Sequence, residues 1–135
     1  MAYWILKTEP SAYSYDQLEK DRHAVWDGVS NPVALKNLRS MVKGDDVMVY
    51  HTGDEKAVIG LARVTKAAYP DPKRNDPKLV VVEIEAIKRL SNPVSLSAIK
   101  ADKAFAAVAL VRQPRLSVGS VDEKQWKRLL ELARA

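Results

Sequence analysis

The chain contains no cysteine in its 135 residues, which removes disulfide bonding, thiolate catalysis and cysteine-ligated zinc and fits a reducing compartment. Histidine is nearly as scarce. With only His23 and His51, a histidine-rich metal site is impossible, and a mixed His/carboxylate site has to be assembled from distant positions. Long apolar runs are missing too. The opening MAYWILKTEP has an apolar run shorter than a signal-peptide core with no basic region before it, and no stretch is long enough to span a bilayer. A soluble, cytoplasmic protein without a membrane partner is expected. GxSxG, HExxH, P-loop and GxGxxG patterns are absent, so the common hydrolase, metalloprotease and nucleotide-binding signatures give no support to an enzyme. No repeat, low-complexity segment or interdomain linker divides the chain. One domain over residues 1–135, expected to be a monomer, is long enough to bury a core without metal or disulfide.

What is present is a modest positive charge, 22 Lys and Arg against 17 Asp and Glu, giving +5. This balance favours an anionic partner such as nucleic acid. The basic residues are scattered, so a binding surface must be assembled by folding.

The stretch Trp26 to Arg39, WDGVSNPVALKNLR, holds the densest local information. Asp27-Gly28 is a turn dipeptide, Asn31 is a good N-cap and Pro32 suits the first helical position. The spacing predicts a helix over about Pro32 to Met41, with Ala34, Leu35, Leu38 and Met41 on an apolar face and Lys36, Asn37, Arg39 and Ser40 facing water or a ligand.

Around it, Tyr3 to Lys7 reads as a strand stopped by Pro10. Ser14 with Gln17 three residues on predicts a capped helix over Tyr15 to Lys20. Val25 and Trp26 lead from that helix into the central stretch. Lys43-Gly44-Asp45-Asp46 is a turn before a compact strand, Val47 to Thr52, and Gly53 to Lys56 turns into a long strand, Ala57 to Ala68. Simple alternation places Val58, Gly60, Ala62 and Val64 on one face of that strand, and Ile59, Leu61, Arg63 and Thr65 on the other. Three prolines make Tyr69 to Lys78 a surface loop. Leu79 to Leu90 returns as a strand with Val80, Val82, Ile84 and Ala86 on one face. Leu96 to Lys100 and Lys103 to Val108 read as short helical pieces, and Leu116 to Val118 as a short strand broken by Gly119. Ser120 or Asp122 caps a last helix to about Ala133 with Trp126, Leu129, Leu130 and Ala133 inward. A curled sheet of about five strands flanked by short helices is the simplest arrangement.

Three residues carry a choice between chemistry and packing. A tryptophan beside a turn, as Trp26 is, presents its face to a nucleobase or belongs to the core. His51, at a strand end, contacts a ligand or is hydrogen-bonded in place. Glu9 accepts from the amino group of a base or from nearby backbone amides. An enzyme acting on nucleic acid or a nucleotide would use Glu9 or His51 as its acid or base. A third alternative is an interaction module without a pocket.

Together, YWILKTEP (3–10), WDGVSNP (26–32), LRSMVKGDDVMVYHTG (38–53), AYPDP (68–72), PVSL (93–96) and RQPRLSV (112–118) resemble the EVE domain family over almost the whole chain. The resemblance implies an α+β, PUA-like fold, a curled mixed sheet or pseudo-barrel of five or six strands with flanking short helices, related to YTH and ASCH domains. It also implies a non-catalytic reader of DNA or RNA carrying a modified base, modified cytosine above all, with no cofactor and no metal. The base is expected to be flipped into an aromatic pocket, at an extrusion cost of roughly a few kcal/mol. Trp26 looks like the family's stacking tryptophan and Asn31 like its base-edge asparagine. Lys7-Thr8-Glu9-Pro10 resembles the family's Lys-Ser-Glu-Pro, Tyr50-His51-Thr52 its Tyr-His-Ser, and Leu116-Ser117-Val118 its Leu-Ser-Val. Many relatives carry Arg-Asn-Tyr-Gln-Ala-Arg-Asn where this chain has Ser30 to Lys36. Lys36 and Arg39 are the phosphate-contact candidates that remain there.

Overall fold

The computed structural model describes residues 2–134. Six strands form a single sheet: β1 (Tyr3–Thr8), β2 (His23–Trp26), β3 (Asp46–His51), β4 (Ala57–Pro70), β5 (Val80–Ser95) and β6 (Val118–Val121). Their spatial order is β2-β5-β4-β3-β1-β6. β1 and β3 are parallel, and the remaining neighbours are antiparallel. The sheet curls without closing, so β2 and β6 are left as its two edges.

Short helices cover both faces. α1 (Tyr15–Asp21) and α2 (Pro32–Ser40) pack on one side, whereas α3 (Leu96–Ala101), α4 (Ala109–Arg112) and α5 (Glu123–Leu132) pack on the other. Alternation along β1 and β3 feeds both layers. Trp4 and Leu6 of β1 join the first cluster, with Val47 and Val49 of β3 and Leu35 and Leu38 of α2. Ile5, Met48 and Tyr50 enter the second, with Ile99, Phe105, Trp126 and Leu129. The caps form where the sequence places them: Ser14 accepts from Gln17 N at 3.1 Å, and Asp122 forms a reciprocal capping box with Gln125.

Five expectations are corrected. Val25 and Trp26 are not merely a connection: with His23 and Ala24 they form edge strand β2, paired to Glu83 and Val82 of β5. In β4 the alternation is broken, because irregularities beside Gly60 shift the register. A bulge inserts a residue and turns the next side chains to the opposite face. Ile59 therefore shares the Ala62 and Val64 layer, and Val58 lies in the other. β4 and β5 also run past their expected ends, through Pro70 and Ser95. Residues 103–108 contain only a 3-10 turn, Lys103–Phe105, and the helix comes later as α4. Last, Gly119 lies inside β6 rather than ending it. Its Cα faces the Ala109 methyl at a distance that leaves a Cβ only 3.1 Å away, so the glycine admits α4 against the strand.

Candidate functional site

At the C-terminal end of β1 the chain must leave the sheet, and its polar groups build the start of a cleft. Glu9 O accepts from the backbone amides of both Ala12 and Tyr13 at 2.9 Å. The Thr8 hydroxyl donates to Tyr13 O at 2.7 Å. These bonds fold Tyr13 back over the strand end. Its ring meets Trp26 edge-on, with centroids 6.1 Å apart and planes at 87°. The Tyr13 hydroxyl donates to Asp21 Oδ2 at 2.9 Å. Burial, and then this bond and the Asp21 charge, push the phenol pKa up to about 12.

The adjoining wall comes from edge strand β2. Trp26 ends β2, and Asp27-Gly28-Val29 turns away with Gly28 at φ +78°, a conformation that glycine adopts without steric cost. Beside this aromatic pair lies a cleft of ≈ 410 Å³ whose lining includes Lys7, Thr8, Glu9, Tyr13, Trp26, Val29 and Ser117. Because β2 is one sheet edge and Ser117 directly precedes the other, the cleft occupies the seam where the curled sheet fails to close. Its volume falls within the range of roughly 300–1,000 Å³ usual for small-molecule sites.

Of the expected site residues, the fold thus brings together Lys7, Thr8, Glu9, Trp26 and Ser117. Trp26 is only 7% exposed and belongs to the core cluster, and it also lines the cleft. Lys7 is half-buried. Its ammonium donates to Pro114 O at 2.9 Å, and Lys7 N donates to Ser117 O at 2.9 Å. Burial lowers the ammonium pKa below its ordinary value. Glu9 Oε2 accepts from the Thr52 hydroxyl at 2.9 Å, so Thr52 supports the cleft from behind.

The others stand elsewhere. Tyr50 is buried in the layer of α3 and α5. His51 is buried as well, with Nε2 accepting from Tyr15 N at 2.9 Å and Nδ1 against Glu55 Oε1 at 2.9 Å. An acceptor role for Nε2 places the proton on Nδ1, directed at Glu55. Both ring nitrogens therefore hold the fold, and His51 does not reach Glu9's cleft. Lys36 and Arg39 are exposed on α2, where Arg39 Nη1 donates to Lys78 O at 3.3 Å.

Asn31 lies outside the cleft lining, and its Oδ1 accepts from Val33 N and Ala34 N at 2.9 and 3.1 Å. This is the N-cap its sequence position suggested. Asn31→Ala is expected to lower stability by about 1 kcal/mol and Asn31→Ser to retain most of it. Urea midpoints that are equal for all three proteins would contradict the capping role.

Ala12, Tyr13, Val25 and Val29 were not singled out from the sequence. Tyr13 left a faint signal, since an apolar residue just before an N-cap commonly packs back on its helix. The wall at Val25 and Val29 depends on β2 being an edge strand, which is a property of topology.

An open curled mixed sheet, short helices on both faces and a cleft at the seam define a PUA-like α+β domain. The chain belongs to the EVE domain family, whose model matches residues 2–132. It is 27% identical to thymocyte nuclear protein 1 of Mus musculus, over 96% of this chain and 73% of that protein. Among solved structures, the NMR structure of Rpa0253 from Rhodopseudomonas palustris superposes with a TM-score of 0.94 at 38% identity, covering 99% of this chain and 94% of that one. Human THYN1, crystallised in complex with 5-methylcytosine-containing DNA, superposes with a TM-score of 0.91 at 23% identity, covering 100% of this chain and 99% of that chain. At that identity the likeness is one of fold.

Proposed function

We propose that this chain is a non-catalytic nucleic-acid-binding module that holds a modified cytosine, extruded from its strand, in the cleft lined by Tyr13 and Trp26. The observation that carries the reading is the open, aromatic-walled cleft at the sheet seam. The human relative's complex with 5-methylcytosine-containing DNA supports it. The lining suits the ligand chemically. The Glu9 carboxylate is an acceptor for the exocyclic amino group of cytosine. Val25, Val29 and Ala12 offer apolar surface for a substituent on the ring. Lys36 and Arg39 would meet phosphates of the same strand, making affinity fall with salt.

Magnitudes limit what the cleft can discriminate. Burying one methyl group gains about 0.8 kcal/mol, roughly fourfold in affinity. Methylation alone therefore gives a modest preference, and most of the affinity must come from the flipped base and the phosphates.

Fluorescence anisotropy with DNA and RNA oligonucleotides differing only in cytosine, 5-methylcytosine or 5-hydroxymethylcytosine tests the proposal. A strand carrying 5-methylcytosine should bind about fourfold more tightly than the plain one. Ala12→Trp, which fills the cleft from an exposed position, should weaken binding at least about tenfold without lowering the melting temperature. Equal affinity for every strand together with an unaffected Ala12→Trp variant would sink the reading. Mass spectrometry of the recovered strands addresses the enzyme alternative: turnover lost in Glu9→Gln would replace reading with chemistry.

A further inference from the structure

The cleft wall that continues from Trp26 is tied to a loop more than forty residues away in sequence, outside the cleft itself. That loop joins β4 to β5 and is closed at its base by the Asp71 amide donating to Leu79 O at 2.9 Å. Asp71 is only 6% exposed. One of its carboxylate oxygens accepts from Lys73 N at 2.9 Å. The other accepts from Arg74 Nε at 3.1 Å, which orients the guanidinium. Its two remaining nitrogens point at the wall: Nη2 donates to Val29 O at 3.1 Å and Nη1 faces the Ser30 hydroxyl at 3.4 Å.

We propose that Asp71 and Arg74 form a latch that sets the position of the Asp27–Ser30 wall, which makes Arg74 a positioning residue for the cleft. The role in binding rests on the cleft's ligand being a modified cytosine. The chemistry of arginine is what the arrangement uses. A planar fork directs three N–H groups at three acceptors at once, one carboxylate, one carbonyl and one hydroxyl, whereas a lysine ammonium on a flexible stem cannot hold the same three in register. Val29 contributes a buried side chain to the core and lines the cleft, so its placement determines the width available to a base. Without the latch, the turn at Gly28 has a glycine's backbone freedom, and binding must supply the ordering cost of the wall.

The test uses the full chain with Arg74→Ala, Arg74→Lys and Asp71→Asn. Backbone 15N heteronuclear NOEs at Gly28, Val29 and Ser30 should fall in all three, while those in β3 and α5 keep their wild-type values. The dissociation constant for the 5-methylcytosine oligonucleotide should rise roughly tenfold in both Arg74 variants. Unchanged NOEs at the wall would overturn the latch. Full rescue of affinity by Arg74→Lys would also overturn it, by showing that charge rather than fork geometry matters. Should Arg74→Ala fail to fold, the lysine and asparagine variants carry the same readouts. Should the wild-type protein bind none of the oligonucleotides, the cleft reading fails and the NOEs alone decide the latch.

Discussion

Gly60→Ala is expected to lower stability by about 3 kcal/mol or more, because the new methyl group would fall only 2.2 Å from Cζ of the Tyr15 ring. The ring has no easy escape. Tyr15 is fully buried, its hydroxyl donates to Leu61 O at 2.6 Å, and the Arg89 guanidinium lies 5.3 Å from the ring centroid. Relief must therefore come from the sheet or from α1, and both are held: Tyr15 N donates to His51 Nε2. The effect reaches the cleft, since Tyr13 stands two residues ahead of Tyr15 in the same turn. Urea unfolding measures the loss. A double-mutant cycle with Tyr15→Ala identifies its cause, because removing the ring should make the two costs far from additive. A wild-type midpoint for Gly60→Ala, or additive costs in the cycle, would contradict the clash.

Gly60 also shows why part of the fold could not be read from the chain. Periodicity in the 57–65 run reports a strand, and a strand is what forms. The irregularity that puts Ile59 rather than Val58 in the layer of Ala62 and Val64 lies where Gly60 meets the Tyr15 ring, a contact between segments far apart in sequence. Local signals were reliable where the controlling interaction was local. Asn31 and Pro32 start α2, Ser14 caps α1 and Val80, Val82 and Ile84 line one face of β5. They failed at β2, whose four residues pair with Val82 to Glu85 of β5, a segment far away in sequence.

The same distinction separates the legible and illegible parts of the site. Lys7, Thr8, Glu9, Trp26 and Ser117 were indicated by motif blocks, and they meet at one cleft. Tyr50, His51 and Thr52 sit in an equally marked block, yet two of the three are buried. Their block has a structural reason: His51 fixes the start of α1 and Thr52 holds the Glu9 carboxylate. A motif records that residues matter together without saying whether they touch the ligand. Arg74 was invisible for the opposite reason, since a loop with three prolines and alternating charges reads as solvated surface, and its partner segment lies in a different part of the chain.

Asp45→Asn is expected to cost about 3 kcal/mol and to remove part of the pH dependence of stability. Asp45 is 1% exposed. Its Oδ2 accepts from the Trp4 indole and from Val42 N, each at 3.0 Å, and its Oδ1 accepts from Ala2 N at 3.1 Å. Burial alone would raise its pKa, but these donated hydrogen bonds outweigh it and hold the carboxyl below the ordinary value. An amide nitrogen in place of one oxygen would set a donor against donors. Because the folded-state pKa is depressed, the carboxylate's contribution is fully present above about pH 4, the unfolded value, and disappears as pH falls through the lower folded value. Stability of the wild-type protein should therefore fall more steeply than that of Asp45→Asn between about pH 5 and pH 2, a difference that urea titrations at a series of pH values would show. Parallel curves would mean that Asp45 carries no such linkage. The position of this carboxylate connects stability to the site. It anchors Trp4 at the start of β1, and β1 runs in parallel register with β3 from Tyr3 beside Asp46 to Thr8 beside His51. The far end of that strand delivers Lys7, Thr8 and Glu9 to the seam of the sheet, so weakening the anchor should loosen the cleft floor before it unfolds the distant layer of α3 and α5.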